Sequence, residues 1–400
     1  MAITVLSGSP QTATPAYNKM IFKVSGSLTS GANYRYVCDV KNSAGTTTLV
    51  RLKCDKLPST NYGYFDVSKV IQTLIAPTAP TLTQTGFADH AGYYSGYRLA
   101  FIEEYGATPV VQTGTVTNVS GNVAFAGNLE QLELASWSGA VYFPTAINDY
   151  ITPALTSIDN RTVYANGYGW LAMGQSGNGL YDAGVLIEYF SSSGPLQRSY
   201  EVALPIGLAG NSINRFGAGP MNIKALTSGQ CSDGQAGSYN FPTAEGASYT
   251  IAFLDSGGNA TKAYRYTIGP CERFNSQPVH FINKYGGIDS YTFTLKNRKR
   301  ANVSRQTFGY NSDVYSTLNY DKVYSGEFDY VYALNSDWLT DAESEWLIEM
   351  IRSSQVWLEL NGQLVEAIIN TNSYQFVTRR NDRLTQLQVE IAVAYKNTIL

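Results

Sequence analysis

The sequence predicts a mainly β protein. The expected order is tandem antiparallel β-sandwich domains, then a C-terminal split-β-barrel-like α+β domain with one packed helix. Three observations carry this. Charged residues make up only 15% of the chain, and 36 Gly and 30 Tyr, with many Thr, Ser and Asn, take their place. That balance suits strands with polar, uncharged faces better than long solvated helices. Strand-like runs recur at intervals of about ten to fifteen residues with turn clusters between them. One well-punctuated helix stands between strands near the C-terminus.

Residues 1–16, rich in Ser, Thr, Pro and Gly, read as an arm or edge segment. Strands follow at Met20–Val24, Tyr34–Val40 and Thr47–Lys53, the last two joined by a turn at Asn42–Gly45. Val67, Val70, Ile71 and Leu74 keep helical spacing, so a short helix capped by Asp66 is expected, ended by Pro77 and Pro80. The Thr/Gly/Pro-rich stretch 76–96 reads as a loop and places His90 on the surface. Tyr97–Glu104 is expected to close the first sheet.

From Val116 to Ile268 strands are expected at Leu129–Leu134, Val141–Phe143, Gly169–Met173, Val185–Phe190, Tyr200–Ala203, Asn222–Leu226, Tyr249–Leu254 and Tyr264–Ile268. A hairpin turn is read at Ser256–Asn259, a loop at Gly174–Gly179, and loops or domain joints at Gly217–Pro220 and Ser228–Gly237. Pro278–Leu295 holds two strands around Gly286-Gly287. The basic run Lys296–Arg300, with Arg305, reads as a charge-protected edge strand or loop; the sharper reading is a phosphate or nucleic-acid contact.

Val323–Leu334 leads to the helix, where Thr340 and Glu343 form a capping box. Trp346, Leu347, Met350 and Ile351 make its apolar face, with Arg352 at its end. Val356–Leu360, the turn Asn361-Gly362, Leu364–Val377 and the alternating Leu384–Ala394 complete the chain. Arg379, Arg380, Asp382 and Arg383 fall at the turn before the last strand, which can pair across subunits as well as within one. The expected domains are 1–115, 116–270 with long Gly/Ser/Asn loops, and 271–400 as the assembly module.

A net charge of −3 gives no overall attraction to nucleic acid or anionic membrane. The start lacks a secretory pattern, and no apolar window is long enough to span a bilayer. Cys38, Cys54, Cys231 and Cys271 form no Cys-x-x-Cys pair, and the only histidines are His90 and His280, so no metal site is expected. Cys38 and Cys54 can face each other across a hairpin, but buried free thiols are the favoured reading. No nucleotide, zinc-protease, serine-hydrolase or kinase motif occurs, and neither catalytic nor cofactor-binding residues are assigned. Glu103, Glu104 and Asp255 remain as carboxylates of the glycosidase type because they lie near strand ends. Tyr93, Tyr94, Tyr97, Tyr142, Phe143, Tyr164, Tyr168, Trp170, Tyr181 and Tyr189 suit either a subunit interface or a sandwich core.

Val279–Phe293, Leu334–Thr340 with its acidic helix, Val356–Leu358 and Ala394–Asn397, together with Phe22–Val24 and Tyr62–Val67, resemble virion structural proteins of tailed bacteriophages. The likeness comes in patches covering less than half of the chain. The closing strand-helix-strand-strand order is similar to the split barrel of tail-tube, distal-tail and baseplate-hub proteins. The resemblance implies a non-enzymatic tail or baseplate component, self-associated into a hexameric ring or a multiple of one, and contacting other tail proteins. It further implies assembly in the host bacterial cytoplasm, with no membrane insertion and no sequence-specific nucleic acid. A receptor-binding tail protein that takes host glycan through the middle domain is the alternative, and a carboxylate glycosidase comes third.

Overall fold

The computed structural model describes residues 3–7, 10, 12–26, 29–143, 153–175, 184–203, 212–254, 258–270, 274–310, 320–371, 386–395 and 397–398. It is mainly β, in successive sandwich layers followed by a larger sheet with one packed helix. In the first sandwich, Thr4–Val5, Ile21–Ser25 and Tyr62–Asp66 form the smaller sheet. The larger runs Ala13–Pro15, Thr117–Phe125, Tyr94–Tyr105, Arg35–Asn42, Thr48–Asp55, with Val110–Val111 added to Tyr94–Tyr105. Phe22 and Phe65 of one sheet meet Phe101 of the other, with ring centroids 5.9 and 5.8 Å apart. Tyr36, Cys38 and Val40, alternating along one strand, face the same core. The helix expected after Asp66 is Ser68–Gln72. Val67 takes the N-cap position, and Asp66 acts from one residue outside, its Oδ1 accepting from the Ser68 amide at 3.0 Å.

Two expectations about this unit change. Tyr94–Tyr105 does not close the sheet; it lies inside it, between Arg35–Asn42 and Thr117–Phe125. Because Thr117–Phe125 is its ladder partner, the first sandwich continues past residue 115.

The second sandwich sets Asn160–Val163, Tyr264–Ile268, Ser248–Leu254, Gly184–Phe190 and Leu196–Val202 against Trp170–Gln175, Ser212–Gly217 and Phe87–Asp89. Phe87–Asp89 comes from the stretch read as a surface loop, so the two sandwiches interlock. Phe87 seats its ring 5.1 Å from Phe216 and 6.3 Å from Phe253. The strands expected at Leu129–Leu134, Val141–Phe143 and Asn222–Leu226 are instead the short helices Gln131–Ser136, Gly139–Tyr142 and Pro220–Lys224. Glu130 and Glu133 cap the first reciprocally, and Pro220 starts the third, where its missing amide costs nothing.

The C-terminal sheet has eight strands. Its order is Ile288–Phe293, Gln277–Ile282, Val356–Leu360, Gln363–Ile369, Gln388–Val393, Tyr320–Asn335, Arg298–Tyr310, with Asn397–Thr398 added to Tyr320–Asn335. Asn361 and Gly362 turn the hairpin at φ 52° and 74°, the left-handed pair that a two-residue loop needs. The Asp341–Arg352 helix carries the expected Thr340–Glu343 capping box and buries Trp346, Leu347 and Met350 beside Val279, Phe281, Leu358 and Ile391. Gln388–Val393 is held on both sides, by Gln363–Ile369 and Tyr320–Asn335, so its backbone is not available for pairing across subunits. Among the described residues the free edge at that end of the sheet is Arg298–Tyr310. Asp255, Tyr181, Cys271, Arg379, Arg380, Asp382 and Arg383 lie outside the described residues.

Candidate functional site

Of the residues singled out for acid–base chemistry, Glu103, Glu104, His90 and His280 are buried. Glu103 and Glu104 are consecutive in one strand and so point to opposite faces. Glu103 Oε1 accepts from the Tyr34 hydroxyl at 2.8 Å, and Glu104 Oε1 meets Lys53 Nζ at 2.7 Å. A facing carboxylate pair is therefore not formed by these two. His90, expected on the surface, is fully buried, its ring centroid 3.6 Å from that of Tyr93. Its amide donates to Ile213 O at 2.8 Å, which ties the segment to the second sandwich. Burial, with Arg215 nearby, holds its pKa well below the usual histidine value. His280 is also buried, with Nδ1 2.8 Å from Ser290 Oγ and Nε2 3.6 Å from Glu359. Burial lowers its pKa against the opposing pull of Glu359. Cys38 and Cys54 are free thiols that do not oppose each other: Cys38 stands across from Leu52, and Cys54 from Tyr36.

The crowded aromatics are mostly core. Tyr93, Tyr97, Phe143, Tyr164, Trp170 and Tyr189 are all buried, and Tyr94, Tyr142 and Tyr168 are partly so. Among the described ones, Tyr164, Tyr168 and Trp170 line a small cleft with Arg161 and Tyr266.

A polar cluster that the sequence did not flag sits where the second sandwich meets the C-terminal sheet. Arg161 Nη1 donates to Asp289 Oδ1 at 3.0 Å, with both side chains almost wholly buried. Asp289 also accepts from Trp346 Nε1 at 2.8 Å, Asn283 Nδ2 at 2.9 Å and Thr156 Oγ1 at 3.0 Å. The guanidinium lies 5.2 Å from the Tyr266 ring and 5.5 Å from Trp346. A buried charge pair survives only when its remaining lone pairs and protons are satisfied, and these contacts satisfy most of them. Gly287 lets the Asn283–Asp289 turn close on the neighbouring segment, since a Cβ there would stand 2.3 Å from Leu155 O. Beside this cluster, Glu349 bonds Ser157 Oγ at 2.5 Å and accepts from the Lys284 amide at 3.1 Å. Burial pushes its carboxyl up to about 7. No signal of spacing marks these residues, because Thr156 with Arg161, Asn283 with Asp289, and Trp346 come from three separate segments of the chain.

The surface that stands apart is the ribbon formed by Arg298–Tyr310 and Tyr320–Asn335, strands of 13 and 16 residues. Every residue from Arg298 to Gly309 is exposed, whichever face it occupies, so this strand stands clear of the body. Cross-strand partners define its faces. Ala301 opposes Tyr330 and Val303 opposes Phe328 on one, with Lys299 Nζ 3.6 Å from the centre of the Tyr330 ring. Asn302 opposes Asp329, Ser304 opposes Glu327 and Gln306 opposes Ser325 on the other. A bulge between Gln306 and Thr307 shifts the register toward the tip, where Val323 and Tyr324 are exposed. At the ribbon's base a cleft of about 630 Å³ is lined by Lys296, Arg298, Arg300, Asn335, Gln388 and Glu390. This basic run is thus an exposed edge strand, as its charge suggested.

No family model matches the chain, and no curated protein matches it. Among solved structures, the fibronectin(III)-like modules of Clostridium thermocellum CbhA align at 9% identity with a TM-score of 0.16. That alignment covers 67% of this chain and 93% of theirs, and at this level it carries no argument.

Proposed function

We propose that this chain is a non-enzymatic structural component of a phage tail or baseplate that assembles into a ring through its β domains. The observation that carries the reading is the ribbon: residues 298–309 are exposed along their length, and the partner strand buries Val331, Tyr332 and Leu334 at the base while Val303, Phe308 and Val323 stay exposed. The part of a ribbon that projects beyond its sheet gains little from folding alone and much from being covered. Its apolar face is the proposed ring contact, taking the place of the last strand. The inward placement of both histidines, Glu103 and Glu104 agrees with a building block. The glycan-binding alternative is the weaker reading, because most of the described middle aromatics are buried in the core. Mass photometry tests the proposal. Wild-type chain is expected as a closed oligomer, and the double variant Val303→Glu, Val323→Glu as a folded monomer. A wild-type chain that stays monomeric at every concentration, alone and with particle extracts, overturns it.

A further inference from the structure

We infer that the outer edge of Arg298–Arg305 is a docking site for an extended acidic segment of a different protein, which adds to the sheet as a further strand. The inference rests on the reading of the ribbon as an assembly element and names the partner of its basal half. Among the described residues this strand pairs only with Tyr320–Asn335, so its outer backbone amides and carbonyls are open to a new ladder.

Charge decides what can add there. Arg298, Lys299, Arg300 and Arg305 lie along the strand in a chain of net charge −3. The residues opposite them are Ala333, Tyr332, Val331 and Gly326, none of them acidic. Glu390 reaches Arg300 at 2.9 Å in an exposed pair, and among the described residues it is the one carboxylate lining the basal cleft. A second copy adding its own Arg298–Arg305 edge would bring like charges together, which disfavours that pairing. An incoming strand with carboxylates on alternate residues would instead set them beside Arg298 and Arg300, over the cleft. Its intervening residues would rest on the side where Lys299 covers Tyr330. The edge from Gln306 to Tyr310, which carries no charged residue, lies outside this docking site, and the ring contact is made by the ribbon's face rather than by its edge.

The test uses the full chain and a synthetic peptide of alternating Glu and Val, read by fluorescence anisotropy. Saturable binding is expected, weakened by salt and lost by about tenfold or more in Arg298→Glu, Arg300→Glu. A peptide of equal charge with Pro at alternate positions should not bind, because strand addition needs its amides. Equal binding of the Pro peptide or of polyphosphate would reduce the site to a general polyanion patch and overturn the inference. So would equal binding of a Thr/Val peptide, or no binding at all. Ring formation is read separately on the same samples. Loss of the peptide with rings intact sinks this inference alone, and a monomeric wild type that binds the peptide sinks the proposed function alone.

Discussion

Asp289 accepts hydrogen bonds from a guanidinium, an indole, an amide and a hydroxyl while almost wholly buried. Removing one member of a buried pair leaves the other charge without compensation, so Asp289→Ala is expected to cost about 3–5 kcal/mol in urea unfolding. The double variant Arg161→Met, Asp289→Leu should cost less than Asp289→Ala alone; a greater loss would show that the pair itself supplies stability. Glu349 gives a pH signature. Its folded pKa, about 7, is raised by burial above the model-peptide value of 4.5. The folded state therefore holds the proton more tightly. The contribution is fully present below about 4.5 and is lost as pH rises through about 7. The buried histidines act in the opposite sense: their depressed folded pKa values stabilise above about 6.5 and lose that contribution on acidification. Only a difference measurement isolates the carboxyl. Glu349→Gln should flatten the fall in stability between pH 5 and 8 relative to wild type, and an unchanged slope would refute the assignment.

Among the elements, the helix Asp341–Arg352 was the most legible, because capping box, first-turn acids, apolar stripe and terminal Arg352 all agree. Trp346→Ala is expected to cost about 3–5 kcal/mol, since it empties a buried site and removes the indole donor from Asp289. Thr340→Ala should cost about 1 kcal/mol through the lost cap. A wild-type unfolding midpoint for either would contradict the packing described. The alternating strands were legible for a similar reason: a period of two over six or more residues is hard to mimic. What failed was short. Gln131–Ser136, Gly139–Tyr142 and Pro220–Lys224 are too brief to display helical period, and their apolar residues passed for strands. Phe87–Asp89 is three residues long, so nothing local announced that it leaves its own sandwich and carries His90 inward. The ribbon edge was visible in its charge, whereas strand order was not: alternation in Gln388–Val393 says that one face is buried but not that both sides are paired.

For the whole molecule, the first core does not stop at its own strands. Trp170, Ile213, Ile282, Ile288 and Trp357 belong to the same apolar cluster as Phe22 and Phe101. The three parts are therefore expected to unfold in one calorimetric transition, and three resolved transitions would show them to be independent. The donor and acceptor of the buried pair are 128 residues apart, and the carboxylate comes second. During synthesis the first two sandwiches emerge with a guanidinium aimed at a partner that does not yet exist. A chain that stops after residue 270 keeps that cost and has no means of cancelling it. Completion is thus written into stability itself: a chain truncated at residue 270 is expected to be cleaved by added protease faster than the full chain, and equal rates would show that the unpaired guanidinium carries no cost.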